Sequence, residues 1–289
     1  MKIFFIVVGL LFAVELPAQT LSPWKWQLSL KGDKTISALV QPAGLYVDSS
    51  RKRYYVVDTG NNRLVSFDFE GKFLSAFNAE GALKSPAGFV RGEGKDLWVL
   101  ENGRNSLTRI DLQAKKTTPY QLKNKGSEVY PDRLEYKNDF FYVLDKASGA
   151  VLAFDNTMQV RKSYVCPDCS NGFVDFKIHG NTLWALDQSG TAVYSFPEKG
   201  KKNNKIVLES TQLSFPASFA VDQSGMIYVL DRHEGAVFVF DAKGKFKYRF
   251  LEQGHVREKL YYPTEIKFDS LERLCIVDEG NGRVEIFHR

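Results

Sequence analysis

The chain has 289 residues, enough to bury a sizeable core as one β-rich domain. Hydrophobic residues make up 44% and charged residues 25%, which excludes a disordered or fibrous chain, and the 13% aromatic content suits sheets, because rings pack well on a pleated surface. A net charge of +5 is mildly basic and permits an anionic partner without demanding one.

The N-terminus differs from the rest. Lys2 is a short positive region, Ile3 to Val14 is an almost unbroken apolar run, and Glu15-Leu16-Pro17-Ala18 ends it with a small residue suited to the −1 side of a signal-peptidase cut. The run falls short of the roughly 20 apolar residues of a spanning helix. Residues 1–18 therefore read as a cleaved secretory signal peptide, with an uncleaved anchor as the alternative. The mature chain, 19–289, is then expected in the periplasm or the extracellular space, with no transmembrane segment.

The first segment after the signal, Lys25-Trp26-Gln27-Leu28-Ser29-Leu30, looks like a strand with no repeat of its own before it. Six repeats follow, starting near Pro42, Pro86, Pro131, Phe173, Pro216 and Pro263, at intervals of 42 to 47 residues. Each opens with a short apolar strand such as Gly44-Leu45-Tyr46-Val47-Asp48. A second strand ends in an acid: Tyr55-Val56-Val57-Asp58, Trp98-Val99-Leu100-Glu101, Tyr142-Val143-Leu144-Asp145, Trp184-Ala185-Leu186-Asp187, Tyr228-Val229-Leu230-Asp231 and Cys275-Ile276-Val277-Asp278. A third alternates apolar positions, as in Val237-Phe238-Val239-Phe240, and a fourth is amphipathic, as in Lys72-Phe73-Leu74-Ser75-Ala76-Phe77.

Such a period predicts an all-β fold: a six-bladed β-propeller with four antiparallel strands per blade and no long helix. The second and third strands are apolar on both faces, as expected of sheets stacked between neighbours. The sixth repeat stops at Phe287-His288-Arg289, after its third strand. Residues 25–30 match the fourth strands at Lys72 to Phe77 and Lys245 to Phe250 position by position. The N-terminal strand is therefore predicted to complete the last blade, removing an exposed edge.

The turns carry a resemblance. Asp58-Thr59-Gly60-Asn61-Asn62-Arg63-Leu64 and Asp278-Glu279-Gly280-Asn281-Gly282-Arg283-Val284 resemble the Asp-x-Gly-Asn-x-Arg-apolar signature of NHL repeats, and Glu101-Asn102-Gly103-Arg104-Asn105-Ser106-Leu107 is a looser copy. The fourth repeat departs from the pattern, lacking both the leading proline and the Gly-Asn-x-Arg turn. The resemblance covers nearly the whole mature chain and implies the propeller fold. It leaves function open, since this architecture carries binding scaffolds, lyases, lactonases and RNA binders.

Candidate functional residues follow from the repeat. The acids ending the second strands each precede a tight turn, where a short carboxylate accepts turn N–H groups, so they read as structural. At the entry of the first strand, repeats one, two and five carry the small residues Gly44, Gly88 and Ser218, whereas the others carry Arg133, Asp175 and Glu265. These positions are expected near one channel mouth, where the charges either pair with one another or face a ligand. Loops at that mouth add Arg104, Arg232, His233 and Tyr262 as ligand-binding candidates.

Cys166-Pro167-Asp168-Cys169 supplies only two of the four thiolates of a structural zinc site, and Ser170 stands where a haem-attachment motif needs histidine. A small loop-tightening disulfide is the reading of this pair, and Cys275 reads as an inert core thiol. The four histidines occupy unrelated repeat positions, and no nucleophile elbow or calcium loop is present. No metal or cofactor is expected.

Two functions remain. One is a monomeric, non-catalytic binding or scaffold protein presenting a channel mouth to a peptide, protein or glycan. The alternative is a lyase or hydrolase of lactonase type using Arg133, Asp175 and Glu265, one carboxylate serving as general base. Nucleic acid, a ligand of some cytoplasmic NHL proteins, fits poorly with export and a charge of +5.

Overall fold

A computed structural model describes residues 22–92, 96–197, 202–209 and 213–289. The signal-peptide reading of residues 1–18 lies outside the described residues. The described chain forms six four-stranded antiparallel sheets and one small hairpin, Lys123–Asn124 with Ser127–Glu128. Helical structure among the described residues amounts to three 3₁₀ turns, at Thr59–Asn61, Ala79–Gly81 and Glu279–Asn281. Within each of the first five blades the strands lie in chain order.

The sixth blade is assembled from both ends of the chain. Lys25–Lys31 lies against Arg283–His288, followed by Leu274–Asp278 and then Pro263–Phe268. The register pairs Trp26 with Phe287 and Leu30 with Val284. Side chains reinforce the seam: the Trp26 indole N–H donates to Glu285 at 2.8 Å and Arg283 pairs with the same carboxylate at 2.8 Å. At the far end Arg289 pairs with Asp222 at 2.6 Å and lies 4.6 Å over the Trp24 ring, tying both termini to the fifth blade.

The core lies between blades rather than inside them. Central strands such as Ile227–Asp231 and Ala236–Phe240 are buried at every residue, because each sheet meets a neighbour on both sides. One apolar cluster joins Leu45, Tyr54, Val56 and Phe67 of the first blade to Leu30, Cys275, Val277 and Ile286 of the sixth. Removing apolar area from water is the main driving force here, and the closing strand contributes Leu30 to that interface with no exposed surface.

In five of the six blades the acid that ends the second strand staples the preceding blade-to-blade connection to the turn; in the fourth, Asp187 instead accepts from Thr191 and Ala192 N–H of its own turn at 2.7 and 3.2 Å. Asp58 accepts from Val40 N–H at 2.7 Å, Asp145 from Tyr130 N–H at 2.9 Å and Asp278 from Tyr261 N–H at 2.7 Å. In the first and last blades the asparagine and arginine of the turn fold onto the same carboxylate: Asn61 and Arg63 on Asp58, Asn281 and Arg283 on Asp278. The turn signature is thus a hydrogen-bonding kit for one buried acid, which would otherwise be costly to bury.

Candidate functional site

The innermost strands, Pro42–Asp48, Pro86–Arg91, Pro131–Lys137, Phe173–His179, Pro216–Val221 and Pro263–Phe268, surround the channel. Side chains alternate along a strand, so residues two apart share the channel face and form stacked rings. The first ring is Gly44, Gly88, Arg133, Asp175, Ser218 and Glu265. The second is Tyr46, Val90, Glu135, Lys177, Ala220 and Lys267. At Gly44 a Cβ would stand 2.9 Å from the Ala87 carbonyl oxygen, so glycine here lets the first two blades close up and narrows the neck.

The first ring is a connected polar network in which one buried donor, Arg133 Nε, has no hydrogen-bond partner. Asp175, with no exposed surface, accepts from Ser218 Oγ at 2.6 Å, Phe176 N–H at 2.8 Å and Phe219 N–H at 3.1 Å. Arg133 Nε stands 3.7 Å from the same carboxylate, and its Nη2 donates to the carbonyls of Ala217 and Thr264 at 3.4 and 3.3 Å. Glu265 accepts from Leu45 N–H at 2.8 Å, a bond from the last blade to the first. The structure therefore brings Arg133, Asp175 and Glu265 together in the neck.

The second ring supplies cations to the first. Lys177 Nζ is 2.9 Å from Asp175 and 3.7 Å from Glu265, and Lys267 Nζ is 2.7 Å from Glu265. Burial alone would push the Glu265 carboxyl up. Lys267, Lys177 and Arg133 outweigh it and hold the group at about 2. Burial likewise disfavours the Lys267 ammonium, but Glu265 and Glu135 overturn that and raise it.

Glu135 is different. It belongs to the second ring, half-buried, between the neck and the wider mouth. Among the described residues no hydrogen bond or ion pair closes on its carboxylate. Burial pushes its carboxyl above the usual range, and Lys267 and Lys177 offset this only in part.

Beyond Glu135 the channel opens into a cavity of about 250 Å³ at the mouth formed by the turns between first and second strands, where Ser49 and Ser270 lie. Its walls include Tyr46, Glu135, Lys177, His179, Trp184 and Lys267. The sequence suggests a site at the other mouth, beside the turns between second and third strands. There the neck leaves a space of about 30 Å³, because the first-ring side chains fill it.

The remaining candidates lie apart from the neck. Arg104 pairs with Glu101 at 3.2 Å within its own turn. Arg232 donates to the Tyr262 carbonyl at 2.8 Å and pairs with Glu279 at 2.6 Å. His233 stacks on Phe215 with ring centroids 4.8 Å apart and meets Tyr262 edge-on at 6.2 Å. Arg232, His233 and Tyr262 thus form a cluster of their own over the fifth and sixth blades, on the face opposite the cavity.

Cys166 and Cys169 are joined in a disulfide, and Cys275 is a buried free thiol whose pKa burial pushes up. Among the described residues no three His, Cys, Asp or Glu side chains gather as a metal site would require.

Sequence reasoning missed Glu135, Lys177, Lys267, Tyr46 and Trp184. The signal was available for the first three: each lies two residues beyond Arg133, Asp175 or Glu265 on the same strand face. Trp184 comes from a second strand, and nothing in the repeat marks it as a wall of the cavity.

A family model, DUF5128, described as a 6-bladed beta-propeller, matches residues 220–285. No curated protein sequence matches the chain. Virginiamycin B lyase from Staphylococcus aureus superposes with a TM-score of 0.64 at 15% identity, over 92% of this chain and 99% of that one. A gluconolactonase from Xanthomonas campestris gives 0.63 at 15%, over 86% and 87%. An auxiliary nutrient binding protein from Bacteroides thetaiotaomicron gives 0.61 at 15%, over 87% and 70%. At such identities the likeness is one of fold, shared by lyases, lactonases and a binding protein alike.

Proposed function

We propose that this chain is an exported propeller of NHL type that binds a ligand at the wide mouth of its channel without transforming it. The observation that carries the reading is the division of labour among the channel charges. Asp175 and Glu265 are saturated by lysines and backbone donors, and Glu265, held near 2, is a poor proton acceptor at neutral pH, where a general base needs a pKa close to the working pH. Lys177 and Lys267 are committed to those same carboxylates. What faces the cavity besides those lysines is the aromatic surface of Tyr46 and Trp184, His179, and the unengaged carboxyl of Glu135, the pattern of a recognition site: apolar surface with a few placed polar groups.

The rival reading, a lyase or hydrolase, draws on two of the fold neighbours and on Glu135, whose raised carboxyl suits acid–base work. It requires a second group, nucleophile or acid, reaching the same substrate atom. The two readings are separated by the full-length mature chain and its Trp184→Ala and Glu135→Gln variants, assayed in parallel for binding of glycan and peptide pools and for turnover of lactones and esters. Binding that weakens about tenfold or more on loss of the indole, with no turnover, supports the binding protein. Turnover abolished by Glu135→Gln overturns it.

A further inference from the structure

The chemistry of the wide mouth narrows the ligand class, on the premise that this mouth is the binding site. We infer that it takes a single non-ionic sugar ring, the end or branch of a glycan, with Glu135 hydrogen-bonded to its hydroxyls and the Trp184 and Tyr46 rings beside its C–H surfaces.

Three observations converge. The first is size. A cavity of about 250 Å³ lies below the roughly 300 Å³ at which pockets for drug-sized ligands begin, so it holds one monomer-sized group rather than a peptide stretch.

The second is charge. An acidic group, such as a uronate or a peptide C-terminus, needs an available cation. Lys177 and Lys267 are already bonded to Asp175 and Glu265 at 2.9 and 2.7 Å, which leaves the exposed His179 on the wall, an imidazole rather than a permanent cation. A cationic group would find Glu135 flanked by those same two ammonium groups, which repel it. A neutral ligand meets neither obstacle.

The third is the state of Glu135. Lys177, Lys267, Glu265, Asp175 and Tyr46 are the ionisable groups that face it from the neighbouring strands, and no hydrogen bond from any of them closes on it. A carboxyl with neither oxygen engaged offers two adjacent hydrogen-bonding positions, which match a hydroxyl pair on a sugar ring. The hydroxyls of Ser49 and Ser270 at the rim extend the same kind of contact outward.

The test uses the mature chain, titrated with methyl glycosides of glucose, galactose, mannose and N-acetylglucosamine, with glucuronate and glucosamine as the acidic and basic counterparts, and with a pool of short peptides. Binding is followed by NMR at the Trp184 indole N–H, whose position in the free variants also reports that they are folded. At least one neutral glycoside is expected to bind about tenfold or more tightly than both charged sugars. Glu135→Gln, which keeps the shape and two hydrogen-bonding atoms at the same place, is expected to stay within about threefold of the parent, and Glu135→Ala to lose about tenfold or more.

Tighter binding of glucuronate or glucosamine, or a Glu135→Gln variant as weak as Glu135→Ala, overturns the inference. If peptides move the Trp184 signal and glycosides do not, the sugar inference fails while the channel-mouth reading stands. If nothing moves it, both fail.

Discussion

Replacing Glu265 by glutamine removes one charge from the neck while keeping its shape and an acceptor for Leu45 N–H. Glu265 is 8% exposed and its carboxyl is held at about 2, against an ordinary value of 4.5. At about 1.4 kcal/mol per pH unit, that depression corresponds to about 3 kcal/mol of folding stability at neutral pH. The depression means that the folded state favours the ionised form. The contribution is therefore complete above about pH 5 and drains away as the pH falls through the folded pKa near 2. Glutamine does not titrate, so the gap between parent and Glu265→Gln should be about 3 kcal/mol at pH 7, about half that or less at pH 3 and negligible below pH 2. At pH 7 it should appear as a fall of roughly 6 °C or more in the thermal midpoint. Urea unfolding of both proteins at pH 7 and pH 3 measures the gap directly. A gap under about 1 kcal/mol at pH 7, or one that does not narrow on acidification, would refute the assignment of Glu265 as the neck's principal charged anchor.

Two further outcomes follow from the fold. Leu30→Ala removes a fully buried side chain from the interface of the first and sixth blades and should cost about 2–5 kcal/mol by urea unfolding; deleting residues 19–30 should lower the thermal midpoint further, and an unchanged melt would argue against closure by the N-terminal strand. Joint replacement of Cys166 and Cys169 by serine opens a very short covalent loop and should cost only about 2 kcal/mol on the chain-entropy account, with the parent in reductant unfolding like the variant.

The propeller is legible because its information is local and repeated. Each blade announces itself by an aromatic-apolar-apolar-acid strand, complete in five of six copies, with Cys275 standing in for the ring in the sixth. The acid recurs because the end of each second strand must be anchored, in five blades to the connection that precedes it, as Asp58 does with Val40 N–H, and in the fourth to its own turn, as Asp187 does with Thr191 N–H. The closing strand is legible for the same reason: residues 25–30 repeat a pattern whose place in the last blade is otherwise vacant. Arg133, Asp175 and Glu265 stand out because charge replaces a small residue at one repeat position. Glu135, Lys177 and Lys267 carry the same mark two residues later, but the repeat alone does not tell whether a side chain at that depth meets a neighbour, a ligand or water.

The amino-acid sequence by itself determined the number of blades, the order of strands within them and the way the ends meet, because these depend on periodicity and on which faces must be hidden from water. Tertiary structure decided which mouth is open and which charge is left over. Lys177 reaches Asp175 on its own strand and Glu265 on another blade, while Glu135 reaches neither lysine closely enough to bond. Those outcomes depend on the radius of the ring and on close approaches such as Gly44 against Ala87, distances that are set only when six sheets press against one another.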